Sequence, residues 1–177
     1  LADVARGLLY MHGQAIIHGD LKGANILVDQ SGHACLADFG LLTFISDPTN
    51  PTVSSFLTTI GGTVRWMSPE LLDPEQLNLK EGPLTKESDC YALGMVIYEV
   101  LSGQVPFAPL RNLIVPQVVI RGERPGRPGG REGVSFTDDL WKVLNLCWEA
   151  QPGNRPSVTT VSECLERASE TWGSPLL

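Results

Sequence analysis

The chain has 177 residues, of which 42% are hydrophobic and 19% are charged, and its formal net charge is −7. This length and balance predict one globular domain with a sizeable core and exclude a disordered chain. The acidic balance also argues against nucleic acid as a partner, because such binding needs a net or local basic surface that releases counterions.

The first predicted element is an amphipathic helix that ends near Gly13, because apolar residues recur at helical spacing from Leu1 to His12. Two short apolar runs follow, and the connection between them contains Gly32. Since a glycine suits a tight connection, residues 25–38 are predicted to form a small β-hairpin. The hairpin carries a polar group at each end.

A long loop is predicted over residues 39–68, where Pro, Ser, Thr and Gly are mixed without a helical or alternating period. From Cys90 to Leu101 the sequence is apolar on nearly all sides and is interrupted only by Glu99. This run predicts a buried central helix, with Gly103 as its C-cap, and it is too short to span a membrane.

The last part of the chain is predicted to begin with an exposed connection over residues 123–133, which is rich in Pro, Gly and Arg. A helix behind Thr137 and a final helix that begins near Ser157 should follow. The expected fold class is therefore α+β, mainly α, with a small hairpin. The chain also has four cysteines, Cys35, Cys90, Cys147 and Cys164.

Three of these cysteines lie inside apolar runs, where they are typical of small buried hydrophobic residues. Their wide spacing fits neither a disulfide framework nor a metal site. A reducing, cytoplasmic compartment is the expectation from this usage.

A polar cluster surrounds the predicted hairpin and is the strongest candidate for a functional site. Asp20 and Asn25 lie just before the first strand, and Asp38 ends the second strand. Their side chains should converge and offer the hard oxygen ligands that Mg²⁺ prefers, with Lys22 supplying a positive charge beside a phosphate. A lone Asp or Asn in a loop more often caps a turn, so the interpretation depends on the combined spacing.

Five segments, taken in order, resemble the motifs of protein kinases. The order and spacing make a chance match implausible, so the chain is identified as a member of that family, covering its C-terminal helical lobe. The segments are "HGDLKGAN" at 18–25 (catalytic loop), "ADFG" at 37–40 (magnesium motif), "GGTVRWMSPE" at 61–70 (end of an activation segment spanning 38–70), "SDCYALGMVIYEVLSGQVPF" at 88–107 (buried helix) and "GNRP" at 153–156.

The resemblance implies a role for each residue of the polar cluster. Asp20 would accept or orient the proton of the substrate hydroxyl, and Lys22 would steady the γ-phosphate of ATP. Asn25 and Asp38 would hold Mg²⁺. Lys22 and Thr63 resemble serine/threonine kinases, and "GTVRWMSPE" with "CWEAQPGNRPS" looks most like their tyrosine-kinase-like group. Thr63 would be placed to hydrogen-bond both Asp20 and Lys22.

Other residues are implied to hold the site together without reacting. Glu70 and Arg155 would form a buried bidentate ion pair that anchors the activation segment. Asp89 would bond back to the backbone of the catalytic loop, and His18 would be a packed residue with a local hydrogen bond. Gly23 would leave room beside the phosphate path, or would simply be a turn glycine.

The sequence departs from the family pattern in two ways. Gly19 stands where kinases usually have an arginine that pairs with a phosphorylated activation segment, so control through Ser54, Ser55, Thr58 or Thr59 is not expected. The sequence also shows no glycine-rich phosphate loop and no strand lysine with its glutamate partner. We therefore expect the N-terminal β lobe to be absent and to be supplied by a longer chain or a partner.

Two functional classes remain open from the sequence. The first is a serine/threonine protein kinase that uses ATP and Mg²⁺ and acts on a protein substrate, with little activity expected from the 177 residues alone. The second is a noncatalytic kinase-like scaffold or protein-binding module. The intact cluster of Asp20, Lys22, Asn25 and Asp38 favours the enzyme, and Gly19 favours the scaffold.

Overall fold

The structure is a computed structural model that describes residues 1–38, 43–44, 63–77, 82, 84–128 and 136–172. Within these residues, six α-helices and two antiparallel pairs of strands are present. The helices are α1 (Ala2–Gly13), α2 (Pro69–Leu72), α3 (Lys86–Ser102), α4 (Val115–Ile120), α5 (Asp138–Cys147) and α6 (Val158–Ser169); the strands are β1 (Ile16–Ile17), β2 (Ile26–Val28), β3 (Ala34–Leu36) and β4 (Thr43–Phe44).

The central helix α3 is the predicted buried helix, and it begins at Lys86, earlier than the apolar run at Cys90. Its start is set by a capping box, in which Thr85 accepts from the Ser88 backbone N–H and the Ser88 side chain accepts from that of Thr85. Its end is the predicted one, because Gly103 has a φ of 69° in the left-handed region. The polar cap residues extend α3 beyond its apolar pattern.

Helix α5 packs against α3 and α6, and α6 packs against α1, so that buried side chains of these four helices form one core. The predicted caps of the last two helices are present: Thr137 accepts from the Leu140 N–H, and Ser157 accepts from the Thr160 N–H. Each large side chain buried in this core contributes about 1.5–3 kcal/mol through removal of apolar surface from water. Cys90, Cys147 and Cys164 are buried and free, as predicted for small hydrophobic residues; Cys35 is exposed and also free.

The predicted hairpin is confirmed as the pair β2–β3, in which Leu27 lies opposite Cys35. Its turn is held by the Asp29 carboxylate, which accepts the backbone N–H groups of Ser31 and His33. Gly32 has a φ of 83°, which only glycine adopts without strain. The sequence chemistry of the turn therefore fixes the register of the two strands.

Three short elements escaped prediction. The pair β1–β4 brings 43–44, inside the predicted loop, against Ile16–Ile17. Two-residue strands carry no alternating pattern, so periodicity does not reveal them. Helices α2 and α4 are also too short for a period, although each has a proline in its first turn. Most of the loop predicted over 39–68 lies outside the described residues. The predicted fold class, mainly helical with a small antiparallel sheet, is confirmed.

No helix in the described part of the chain combines the length and hydrophobicity that crossing a membrane requires.

Candidate active site

The loop between β1 and β2 brings Asp20, Lys22 and Asn25 together. The Lys22 Nζ donates to Oδ2 of Asp20 over 2.6 Å. The Asn25 Nδ2 donates to the backbone oxygen of Asp20 over 2.8 Å and to its Oδ2 over 3.1 Å. A 3₁₀ turn at Gly23–Asn25 folds the chain back so that the amide of Asn25 reaches Asp20. Three of the four residues in the predicted cluster thus share one small volume.

The second carboxylate oxygen of Asp20 has no partner among the described residues. Its Oδ1 is buried and makes no hydrogen bond within the described ranges. Burying an unsatisfied carboxylate oxygen costs free energy, and such groups are concentrated at functional sites. Asp20 also lines a cavity of about 10 Å³, together with Thr63 and Trp66, which is about the least volume that holds one water. One oxygen of Asp20 is therefore fixed and the other is available.

Lys22 connects Asp20 to a more distant part of the chain. Its Nζ also donates to Oγ1 of Thr63 over 3.1 Å, so one ammonium group bridges the carboxylate and the hydroxyl. Thr63 was expected to contact both Asp20 and Lys22, and the described contacts contain the bond to Lys22. The loop between β1 and β2 and the segment beginning at Thr63 therefore meet at Lys22.

Asp38 lies at the end of the hairpin, with its side chain exposed and a φ of 60°. The Ala37 N–H donates to the backbone oxygen of Asn25 over 2.9 Å, which continues the hairpin ladder to the residue before Asp38. The last two residues of the "ADFG" motif, Phe39 and Gly40, and the hydroxyls at 54, 55, 58 and 59 lie outside the described residues. The backbone thus places Asp38 next to the strand that follows Asn25.

The donor set around this hairpin is compatible with Mg²⁺. Because Nδ2 of Asn25 faces Asp20, its amide oxygen makes no hydrogen bond to any described residue. Asp38 adds a solvent-facing carboxylate. Mg²⁺ keeps several waters or phosphate oxygens and needs only one or two protein ligands. The described residues contain no group of three or more His, Cys, Asp or Glu side chains that could form a full protein cage.

Asp89, in the first turn of α3, accepts hydrogen bonds from the backbone of the loop between β1 and β2. Its Oδ2 accepts the His18 backbone N–H and its Oδ1 accepts that of Gly19, both over 2.9 Å. The Nε2 of His12 lies 2.9 Å from the same Oδ2. Asp89 is 1% exposed, so its carboxylate exchanges water for protein donors. The expected bond from Asp89 to the loop backbone is present, and His12 is a partner that the sequence did not indicate.

Within the loop, the backbone takes a special shape at Gly19. Its φ is 78°, a conformation that residues with a Cβ rarely adopt. Beside it, His18 is fully buried and its Nδ1 accepts the Asp20 backbone N–H over 3.3 Å. The expected local hydrogen bond of His18 is therefore present, and it orients the backbone of Asp20.

The predicted contact between Glu70 and Arg155 is present as a bidentate ion pair. The Nη1 of Arg155 donates to Oε1 of Glu70 over 2.7 Å, and Nη2 donates to Oε2 over 2.6 Å. The side chains are 0% and 3% exposed for Arg155 and Glu70. Arg155 also donates to the backbone oxygens of Glu87 and Glu149. This arginine therefore joins α2, the first turn of α3 and the chain before α6.

Glu99, which the sequence indicated only as an interruption of the apolar run, contacts the loop between β1 and β2. Its Oε2 accepts the Gly23 backbone N–H and the Trp66 Nε1–H, each over 3.0 Å. Burial raises the pKa of Glu99, and the two hydrogen bonds partly offset that effect. A Cβ at position 23 would lie 2.7 Å from the Glu99 carboxyl group, so Gly23 permits this close approach.

Comparison with known proteins identifies the family. The model of the protein kinase domain matches residues 1–166. The chain is 34% identical over 166 residues to the probable serine/threonine-protein kinase drkD of Dictyostelium discoideum, covering 93% of this chain and 11% of that protein. It is 32% identical over 166 residues to the serine/threonine-protein kinase STY17 of Arabidopsis thaliana, covering 93% of this chain and 26% of that protein.

A third relative is the serine/threonine/tyrosine-protein kinase HT1 of Arabidopsis thaliana, 30% identical over 169 residues that cover 95% of this chain and 39% of that protein. The chain belongs to the protein kinase family, and the resemblance predicted from its motifs is confirmed. It spans between about a tenth and about two fifths of the length of these three relatives.

Proposed function

We propose that this chain takes part in ATP-dependent phosphoryl transfer to serine or threonine hydroxyl groups of protein substrates, with Asp20 as the base. The observation that carries the proposal is the asymmetry of the Asp20 carboxylate. Lys22 and Asn25 hold Oδ2, whereas the buried Oδ1 has no partner within the described ranges. That oxygen is suited to accept or orient the proton of an incoming hydroxyl.

Lys22 would supply the positive charge on the phosphate side. Its ammonium lies between the Asp20 carboxylate and the Thr63 hydroxyl, so its position is fixed before any substrate arrives. Phosphoryl transfer depends almost wholly on positioning and electrostatic stabilisation, which prearranged charges provide without reorganisation. Thr63 would keep Lys22 oriented, and Lys22 would keep Asp20 oriented.

Asn25 and Asp38 would hold Mg²⁺ through an amide oxygen and an exposed carboxylate. When bound, the metal would neutralise charge on the phosphates of ATP. The fixed Asn25 amide group also restricts the Asp20 side chain, because its Nδ2 bonds two oxygens of that residue. Binding of the metal and orientation of the base would therefore depend on the same side chain.

The described residues correspond in this proposal to the helical lobe of a kinase domain, with a catalytic loop at 18–25 and an activation segment at 38–70. The described strands form two short antiparallel pairs and include no strand followed by a glycine-rich loop. This supports the proposal that another segment or another protein supplies the lobe that grips the phosphates of ATP.

A noncatalytic scaffold that binds proteins is the alternative. It is favoured by the glycine at position 19, where kinases usually have an arginine. The two functions differ in what they require of Asp20: a scaffold needs no base at that position.

The test uses the protein expressed from its complete reading frame, with Asp20→Asn and a control, Asp139→Asn, on the exposed face of α5. Transfer of phosphate from ATP to serine and threonine peptides is measured together with ATP affinity. Asp20→Asn should lower the turnover number about 10²–10⁴-fold, because an amide cannot accept the proton, and it should leave ATP affinity nearly unchanged, because the residues proposed for ATP and Mg²⁺ remain. Asp139→Asn should match the wild type.

An Asp20→Asn variant with wild-type turnover would overturn the role given to Asp20. A wild type that folds and binds proteins, yet transfers no phosphate under any of these conditions, would favour the scaffold.

A further inference from the structure

Thr63 belongs to a short, closed turn of the chain. Residues 63–65 form a 3₁₀ turn, and the Trp66 N–H donates to the Thr63 backbone oxygen over 3.0 Å. Thr63 is buried and its hydroxyl accepts from Lys22. Because this hydrogen bond closes the turn, a contact that fixes another of its residues also restrains the Thr63 hydroxyl beside Lys22.

Arg65, in the same turn, uses each of its three nitrogens on the loop between α3 and α4. Its Nη1 donates to the backbone oxygens of Pro106 and Phe107, both over 2.7 Å. Its Nη2 donates to that of Leu110 over 2.6 Å, and its Nε donates to Oδ1 of Asn112 over 2.9 Å. The planar guanidinium thus reaches four acceptors at once.

The loop that Arg65 contacts is held by the hydrophobic core. Phe107 is buried in the main core, and Leu110 packs against that core. The Phe107 backbone oxygen also accepts the Leu110 N–H over 2.8 Å, which closes the loop on itself. Arg65 therefore ties the turn to a loop that the core already holds.

The contacts of Arg65 are not those of an ion pair. All four described acceptors are uncharged backbone or amide oxygens, so the guanidinium contributes its shape more than its charge. A lysine at this position would keep the charge and reach one or two of the four acceptors. This makes Arg65→Lys a specific probe of geometry.

We propose that Arg65 is a positioning residue that sets where a protein substrate meets Asp20, by holding the turn of residues 63–66 against the loop of residues 106–112. The inference rests on the proposed kinase function and goes beyond it, because Arg65 itself touches neither Asp20 nor Lys22 in the described contacts. It acts through Thr63, whose hydroxyl and Lys22 lie 3.1 Å apart.

The expected effect is confined to the protein substrate. A displacement of about 1 Å in a catalytic arrangement can cost about 10²-fold in rate. Loss of the guanidinium fork lets the turn shift, which changes the surface that the substrate hydroxyl meets. The residues proposed for Mg²⁺, Asn25 and Asp38, make no described contact with Arg65. Lys22, proposed for the γ-phosphate, keeps its 2.6 Å bond to Asp20 when the turn shifts. The KM for peptide should therefore rise while the KM for ATP stays constant.

The chain offers a matched control in Arg124, which also donates to three backbone oxygens. Its Nε bonds Trp148, and its Nη1 bonds Val119 and Glu123, over 2.7–2.9 Å. Arg124→Lys removes the same kind of contact at a place that does not touch the turn. Both variants are made in the protein expressed from its complete reading frame, and Tm, turnover number and both KM values are measured.

We expect comparable decreases in Tm for the two variants. Arg65→Lys should lower kcat/KM for peptide about tenfold, mainly through KM, with the KM for ATP unchanged within about twofold. Arg124→Lys should leave both KM values at the wild-type level. A purely structural role of Arg65 would reduce only the active fraction, which lowers kcat and moves neither KM; that result, or an equal rise in peptide KM for Arg124→Lys, would overturn the proposal.

Amide hydrogen exchange at residues 63–66 separates this inference from the proposed function. Faster exchange there in Arg65→Lys than in Arg124→Lys supports the tether, whether or not phosphate is transferred. Equal exchange in the two variants overturns it. A wild type without phosphotransfer would overturn the proposed function, and the exchange comparison would still decide whether Arg65 holds the turn.

Discussion

The two ends of α3 each place a carboxylate under the catalytic loop, and they do so differently. At the N-terminal end, Asp89 is buried and uses both oxygens, which accept two backbone N–H groups while the His12 ring contacts one of them. Near the C-terminal end, Glu99 uses one oxygen for two donors and is only partly buried. The first arrangement uses both of its oxygens, whereas the second has one oxygen without a hydrogen bond to any described residue and is partly open to solvent.

This difference teaches that one helix supports the loop with one rigid and one adaptable contact. Asp89 fixes the backbone just before the proposed base, and Glu99 joins the residue after Lys22 to Trp66. A rigid contact is expected to determine stability, and an adaptable one is expected to influence activity more than stability. Variants at the two positions test that division.

The largest effect is expected from Asp89→Ala. The change leaves the backbone N–H groups of His18 and Gly19 and the ring of His12 without their acceptor in a buried place. We expect a loss of about 3–5 kcal/mol in the free energy of unfolding and a decrease of about 10 °C in Tm. Thermal unfolding of Asp89→Ala, compared with that of the exposed control Asp139→Ala, measures this loss of stability. A decrease no larger than the control's would contradict the idea of a rigid support.

A smaller effect is expected from Glu99→Ala, which removes the acceptor of the Gly23 N–H and the Trp66 Nε1–H. Because Glu99 is only partly buried, water can replace it, and the cost should be about 1–2 kcal/mol. Glu99→Gln keeps an acceptor for both donors and should stay near the wild type in stability at neutral pH. If Glu99→Ala destabilises the protein as much as Asp89→Ala, the two ends of α3 do not differ.

The smallest expected effect is the pH dependence of the contribution that Glu99 makes to the free energy of unfolding. Burial raises the pKa of Glu99, so the folded protein binds this proton more tightly than the unfolded chain. The ionised carboxylate then lowers stability, and the loss grows as pH rises from the ordinary carboxyl pKa towards the raised value. Urea unfolding of the wild type and Glu99→Gln from about pH 4 to about pH 7 should show the variant gaining relative stability with rising pH. A difference that is constant or shrinks over this range would show that the carboxylate is not disfavoured in the fold.

Local signals were sufficient to predict much of the fold. Thr137, Ser157 and Gly103 stand where caps were expected, since capping depends on residues a few positions apart. Thr85 was missed because the apolar run that marked α3 starts five residues later, at Cys90. The pair β1–β4 was missed because two residues cannot show a period.

In the candidate site, too, spacing predicted contacts between residues close in the sequence, whereas it did not predict contacts between distant residues. Asp20, Lys22 and Asn25 lie within one short motif, and the structure brings them together. The contacts of His12 and Glu99 join residues 77 and 76 positions apart, so no spacing rule points to them. The sequence does show Glu99 as a charged residue in an otherwise apolar helix. Such a residue is a reason to look for buried hydrogen-bond donors near it.

The enclosure of Glu70 and Arg155 has a consequence for the protein in concentrated salt. Dissolved ions screen exposed charges with a Debye length that falls from about 8 Å at physiological ionic strength to about 3 Å at 1 M, so even surface ion pairs in contact weaken, whereas buried pairs are screened far less. Arg127 and Asp138 form such an exposed pair, whereas the side chains of Arg155 and Glu70 have almost no contact with solvent. Added salt should therefore loosen the surface around α5 while the link between α2 and the start of α3 keeps its strength.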